Sequence, residues 1–321
     1  MLRNLQKSTP GKLNMPLMYA FVFIAGLVWG ITFSLARITT HAGMHPLGLA
    51  WWQAAGGGAM LIIVCLLRRV DMRTTTKLLF PMIVIGFAGS IIPGTLLFYA
   101  ALHVPAGVLA ITIALTPMLT YAACVVLKID TFKPARAAGV LLGFISIVLI
   151  MLPGNVEQLK APDTLAPGAA VGSTTLWITL ALLACCFYTF ENIFVDKKVP
   201  SNIYMPLLLG GGMTIAALLM LPFVITKGAW VGITWPLNAA EWSVVAMVVF
   251  STLAYLMFLL VIRHAGAVFA SMTGYVVTLS GIFWGMLFFS EKHSHWIWLA
   301  LVLMVLGMAM VTPRDKSTTP D

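Results

Sequence analysis

The chain has 321 residues, 60% of them hydrophobic and only 9% charged, where an ordinary soluble domain is roughly 25% charged. That balance excludes a water-soluble core. The net charge of +9 lies between apolar runs rather than in a basic patch, which argues against a nucleic-acid partner.

Apolar runs of about 20 residues, the length that crosses an ~30 Å hydrocarbon layer, recur from end to end. Residues 1–15 carry Arg3, Lys7 and Lys12 and precede the first predicted span, 16–38. This run exceeds the ~7 to 15-residue core of a cleaved signal and lacks a small-residue cleavage site, so it is read as a retained helix. Further spans are predicted at 47–67, 78–102, 106–127 and 135–152. A Pro-, Gly- and Ala-rich stretch, 153–174, separates them from spans at 175–195, 204–225, 242–262, 268–289 and 296–311 and a polar tail, 313–321. The expected fold is an all-α integral membrane protein of ten transmembrane helices, with no soluble domain attached.

With residues 1–15 on the cytoplasmic side, 15 of the 19 basic residues fall on that face and 4 on the other. This asymmetry fits the positive-inside rule with both termini cytoplasmic, and it makes 153–174 an external linker. Trp51, Trp52, Trp177, Trp230, Trp235, Trp242, Trp296 and Trp298 fall at or near the outer helix ends, as an aromatic belt would. A multi-pass protein of the plasma or inner membrane is expected. Cys65, Cys124, Cys185 and Cys186 all lie within spans and show neither a disulfide framework nor metal spacing.

At an offset of 161 residues His103, Ala106, Thr112 and Asp130 meet His264, Ala267, Thr273 and Glu291. Both second spans carry a glycine triplet, Gly56 to Gly58 and Gly210 to Gly212. The halves are therefore expected at 16–152 and 175–312. Five spans in each is an odd number, so the second half enters the membrane inverted, which is an architecture of secondary transporters.

The pair Trp29-Gly30, the segment PAGVLAITIALTPMLTYAA with Pro117, and the acids after the fourth and ninth spans, Asp130 and Glu291, resemble the two EamA-type repeats of the drug/metabolite transporter superfamily. The resemblance covers nearly the whole chain. It implies a transporter of amino acids, other metabolites or drugs, and not an enzyme. Two departures stand out: Gln53 occupies a span where many members have arginine, and the first acidic motif is the degenerate LKID.

Polar side chains inside spans are the informative ones. Thr112, Thr116 and Thr120 form an i+4 stripe beside Pro117, and Ser271, Tyr275 and Thr278 share a face of the ninth span. The third and eighth spans add Ser90 and the pair Ser251 and Tyr255. The bland reading is that such hydroxyls bond their own helix or glue helices together. Glu191 is the acid inside a span, in CCFYTFENIFVDKK, with Tyr188 on its face. It suits a cationic substrate or a proton site; alternatively it sits near the inner boundary and pairs with Lys198. The candidate cavity lining is thus Glu191, Tyr188, Thr112, Thr116, Ser251, Tyr255, Ser271, Tyr275, Gln53 and Trp29, with Glu191 the proton-coupling candidate. His293 and His295 read as solvated loop residues, and no metal, cofactor or catalytic constellation is expected.

The reading is a secondary transporter exporting a small organic metabolite or drug, amino-acid-like or cationic and aromatic, by alternating access. Its partners are a small-molecule substrate and the lipid bilayer, with a homodimer left open. The alternatives are an integral-membrane enzyme acting on lipid and a non-transporting receptor or scaffold.

Overall fold

A computed structural model describes residues 15–71, 75–101, 112–150, 174–200, 203–289 and 295–311. Outside them fall the N-terminal basic residues, most of the linker 153–174, the start of the fourth expected span, Glu291, His293 and the tail 313–321. The described residues form helices and their connections, with no strand among them.

In chain order these are α1 (Met15–His41), α2 (Pro46–Leu67), α3 (Thr75–Val84), a π-helical segment (Ile85–Ile91), α4 (Ile92–Ala101), α5 (Thr116–Val126) and α6 (Pro134–Ile150). The second half contributes α7 (Thr174–Lys198), α8 (Met205–Thr226), α9 (Ala239–Ala265), α10 (Ala267–Ser271), α11 (Thr273–Phe289) and α12 (His295–Met310). Seven helical stretches are long and apolar enough to cross a membrane, with α3, the π segment and α4 running as one and α10 and α11 as another. Three shorter apolar helices occupy the places of the fourth, fifth and tenth expected spans.

Local chemistry sets the helix ends. Asn238 caps α9 by accepting from Glu241 N at 3.0 Å, and Glu241 returns the bond by accepting from Asn238 N at 2.8 Å. Glu241 also accepts from the backbone and hydroxyl of Thr234. This capping box places the acid at the helix entrance as a structural group that ties down the preceding loop. Between α9 and α10 the chain turns at Gly266, whose φ of 91° is open to glycine and strained for any side chain.

The helices pack in pairs that cross between the halves. α1 lies against α9 and α11, and α7 correspondingly lies against α4 and α5. α2 lies against α8, and α6 against α12. Exchanging each first-half helix for its second-half counterpart returns the same set of pairs. Where α8 meets α2 and α3 the glycine triplets bring backbones together: a Cβ on Gly58 of α2 would stand 2.9 Å from Thr214 N, and one on Gly212 of α8 2.9 Å from Met82 O of α3. Small residues at such crossings let the dispersion contacts of whole helices accumulate where no hydrophobic force acts between them.

Five of the expected belt tryptophans, Trp230, Trp235, Trp242, Trp296 and Trp298, have more than half of their surface exposed. Trp51 and Trp52 instead pack at a tilt against Trp230, ring centroids 5.0 and 6.3 Å away. Trp52 Nε1 donates to Val231 O at 2.9 Å, clipping the loop before α9 onto α2.

Candidate substrate cavity

The helix crossings leave a cavity of about 170 Å³ in the middle of the bundle. α1 supplies Trp29, Thr32, Phe33 and Ala36; α2 supplies Gln53; the π segment and α4 supply Gly89, Ser90, Gly94 and Phe98. From the second half come Tyr188, Glu191 and Asn192 on α7, Ser251, Tyr255 and Phe258 on α9, and Ser271, Thr273 and Gly274 around the junction of α10 and α11. The lining runs from mid-bundle toward the end where α1 stops and α2 begins. Among the described lining residues Glu191 is the one charged group.

Two interrupted helices form its base. The fourth span turns at Ala114 and Leu115 before α5 starts with Pro117 in its first turn, because proline has no N–H to give to the preceding turn. The ninth span breaks at Met272, between α10 and α11. The two breaks meet: a Cβ on Gly274 would sit in ordinary contact, 3.6 Å, with Pro117 Cδ and Ile113 O. Freed backbone groups beside a midplane cavity are a recurrent feature of transporter sites.

Glu191 is 1% exposed, and its Oε1 accepts a hydrogen bond from Tyr255 OH. The residue opposite is Gly89, where a Cβ would overlap both the Tyr255 hydroxyl and the Glu191 carboxylate. The carboxylate therefore packs toward the cavity, paired with a phenol, and not toward Lys198. Trp29 braces the same corner: its ring centroid lies 5.8 Å from that of Tyr255 and 5.5 Å from that of Phe258, and its Nε1 donates to Ser251 Oγ at 3.4 Å. The arrangement offers aromatic walls around one recessed acid, which suits a small partly apolar molecule able to approach a carboxyl group.

Of the residues singled out from sequence, Glu191, Tyr188, Thr116, Ser251, Tyr255, Ser271, Gln53 and Trp29 lie in the cavity wall. Thr112 and Tyr275 are not among its described lining. Thr112 is buried against α7, its carbonyl accepting from Cys185 Sγ at 3.2 Å. The Tyr275 hydroxyl turns away and donates to Val140 O at 3.2 Å, because Gly143 on α6 leaves room for its ring. Ser271 and Thr278 donate to carbonyls of their own helices, at 2.8 and 3.0 Å.

Sequence reasoning passes over Asn192, which is fully buried, lines the cavity, and has an Oδ1 with no hydrogen-bond partner. A signal for it exists: Tyr188, Glu191 and Asn192 stand at i, i+3 and i+4, one helix face. Thr273 is likewise visible only as a repeat match, and its buried Oγ1 also lacks a partner. Gly89 carries no local signal, since its role depends on side chains from two distant helices. Among the described residues no group of three or more metal-ligating side chains occurs.

Comparison with known families matches the chain to the EamA-like transporter family twice, over residues 16–152 and 175–312. No curated protein matches in sequence. A crystal structure described only as that of a protein superposes with a TM-score of 0.70 at 18% identity, covering 92% of this chain and 97% of its own. A likeness at that identity shows the fold alone.

Proposed function

Since the chain belongs to the EamA-like transporter family, as two repeats of a multi-pass helical membrane protein, we propose that it is a secondary transporter exporting a small organic metabolite or drug. The substrate, amino-acid-like or cationic and aromatic, occupies the central cavity. Its transmembrane part is ten helices in two inverted five-helix halves, both termini are cytoplasmic, and it sits in the plasma or inner membrane. The exchange symmetry of the helix pairs and the odd span count per half support the inversion.

One observation carries the reading: a mid-bundle cavity built by both repeats, with aromatic walls, a single described acid and two broken helices at its base. A lipid-acting enzyme would need a second carboxyl, imidazole, amine or thiol beside Glu191, and the described lining offers no Asp, His, Lys or Cys. No described Lys or Arg lines the cavity, which disfavours phosphorylated substrates.

Glu191 is the coupling candidate, with Tyr255 its hydrogen-bond donor. In this role the carboxyl takes up a proton or a substrate amine in one state and releases it in the other. The test is flux of a panel of amino acids, amines and aromatic cations into liposomes holding the purified protein, beside turnover of added lipid. Solute movement that depends on the protein supports transport. Lipid turnover without flux overturns it. Glu191→Gln then separates a coupled carrier, whose flux loses its dependence on an imposed pH gradient, from a facilitator, whose flux does not change.

A further inference from the structure

Beyond the central cavity the described structure holds a second, much smaller one, of about 10 Å³, the room of roughly one water. Its lining includes Cys124 on α5, Asp130 and Arg136 at the turn into α6, Asp196 on α7, and Gly266 to Phe269 leading into α10. Arg136 is 2% exposed and donates from Nη1 to Asp130 Oδ2 at 2.5 Å, while its buried Nε has no partner. Thr131 N fixes the other Asp130 oxygen at 2.8 Å.

The two cavities are stacked on the same three elements. α5 carries Thr116 in the upper one and Cys124 in the lower, eight residues or ~12 Å apart. α7 carries Asn192 above and Asp196 below, and α10 carries Ser271 above and Ala267 to Phe269 below. Between them lies a thin polar layer. Thr120 Oγ1 and Thr189 Oγ1 are 3.4 Å apart, Asn192 Nδ2 reaches Thr120 Oγ1 at 3.5 Å, and Asn192 Oδ1 is unmatched. These bonds stand at the long limit of the interaction. A seam that stays shut has no need of hydroxyls and an orphan amide oxygen, whereas a seam that takes up water does.

Resting on the transport reading above, we propose that this stack is the second passage of the protein. α5, α7 and α10 part along the Thr120–Thr189 layer and open the central cavity to the end at which α5 stops and α6 begins. The buried Asp130–Arg136 pair, in the wall of the lower cavity, is the plug that closes the passage in the conformation described. Opening admits water to Asn192, Thr120 and Thr189, completing their hydrogen bonding, and uncovers Cys124.

Cys124, 1% exposed, is a built-in reporter. The experiment uses the full-length protein in nanodiscs, with Cys65, Cys185 and Cys186 replaced by serine, and a water-soluble maleimide that reaches both faces. A parallel protein keeps only Cys65, which is buried on α2 away from the seam. The charged plug is removed by Asp130→Asn combined with Arg136→Gln, so that no lone charge is left buried. The expected result is at least a tenfold faster modification of Cys124 with Cys65 changing less than twofold. An unchanged Cys124 rate overturns the proposal, and so does an equal rise at both thiols, which would make the pair a general brace. If the double variant does not fold, Asp130→Glu, which keeps both charges but misplaces them, is read against the same thresholds. Labelling involves no flux, so a protein that opens at Cys124 but moves no solute sinks the transport reading alone.

Discussion

Two of the contacts that join the repeats are built from opposite materials. Where α8 meets α2 and the π segment the surfaces are glycine, alanine and aliphatic side chains with backbones nearly touching, as at Gly58 on Thr214 and Gly86 on Gly212. Where α5 meets α7 they are threonine, asparagine and cysteine at loose hydrogen-bond distance. The first has no stable state other than contact, because a separated glycine face gains nothing from lipid or water. The second has an alternative, since each of its polar groups can be satisfied by water. A protein that must move while staying one body needs an axle and a seam, and the difference in residue type tells which is which.

The comparison is broken most severely at the axle. Gly58→Leu and Gly86→Val thrust side chains into backbone atoms, and each should cost about 3 kcal/mol as overpacking. Thermal denaturation monitored by size-exclusion chromatography should show loss of the monodisperse species. Stable folding of either variant would mean the helices can stand apart, and the axle description would fail.

Next in size is Glu191→Gln, where flux under a pH gradient should fall to background while folded yield stays near wild type, since the amide still accepts from Tyr255. Retained pH dependence in a well-folded variant would leave the carboxyl without a coupling role. Tyr255→Phe should be smaller and of a different kind: it leaves a buried acceptor short of its donor, a loss of ~1–3 kcal/mol seen in the melting curve as well as in flux.

At the seam itself Thr120→Val with Thr189→Val removes both hydroxyls and keeps their shape, and the Asn192 amide that loses Thr120 lines the central cavity, where water can replace it, so stability should change by less than ~1 kcal/mol. A cost as large as that at Gly58 would show the hydroxyls to be glue, erasing the contrast. Lys198→Gln is the smallest. With Glu191 turned inward, the change should stay within ~0.5 kcal/mol, the usual range for a surface position, and leave flux untouched.

Much of this arrangement is legible in the amino-acid sequence. Apolar runs mark the helices, and the matched glycine triplets mark where two of them meet. Pro117 announces a break that the chain does make, and Glu191 stands out as an acid among aromatics. What escapes depends on partners far apart in sequence. Nothing around Gly89 predicts that Tyr255 and Glu191 fill the space of its missing side chain. A tally of cytoplasmic loop charges includes Arg136 and treats every basic residue as solvated, yet Arg136 is buried on Asp130. Helical periodicity groups Tyr275 with Ser271, but it places a Cβ and not the far end of a long side chain, which finds Val140 on α6.

The pairing of α2 with α8 has a consequence for descent. On the proposed two-fold axis it is an isologous contact, each helix offering its counterpart the same face. Had the two halves begun as copies of one gene product, any substitution in the glycine triplet would have struck the interface twice, once from each side. After fusion into one chain that double exposure is lifted, and the halves are free to diverge wherever a residue does not meet its own image. The triplets lie on the two counterpart helices that face each other, Gly58 against Thr214 and Gly210 against Leu61, and they are still alike; α1 and α7 pack mainly on other helices, and there one copy carries Glu191 while the other carries none.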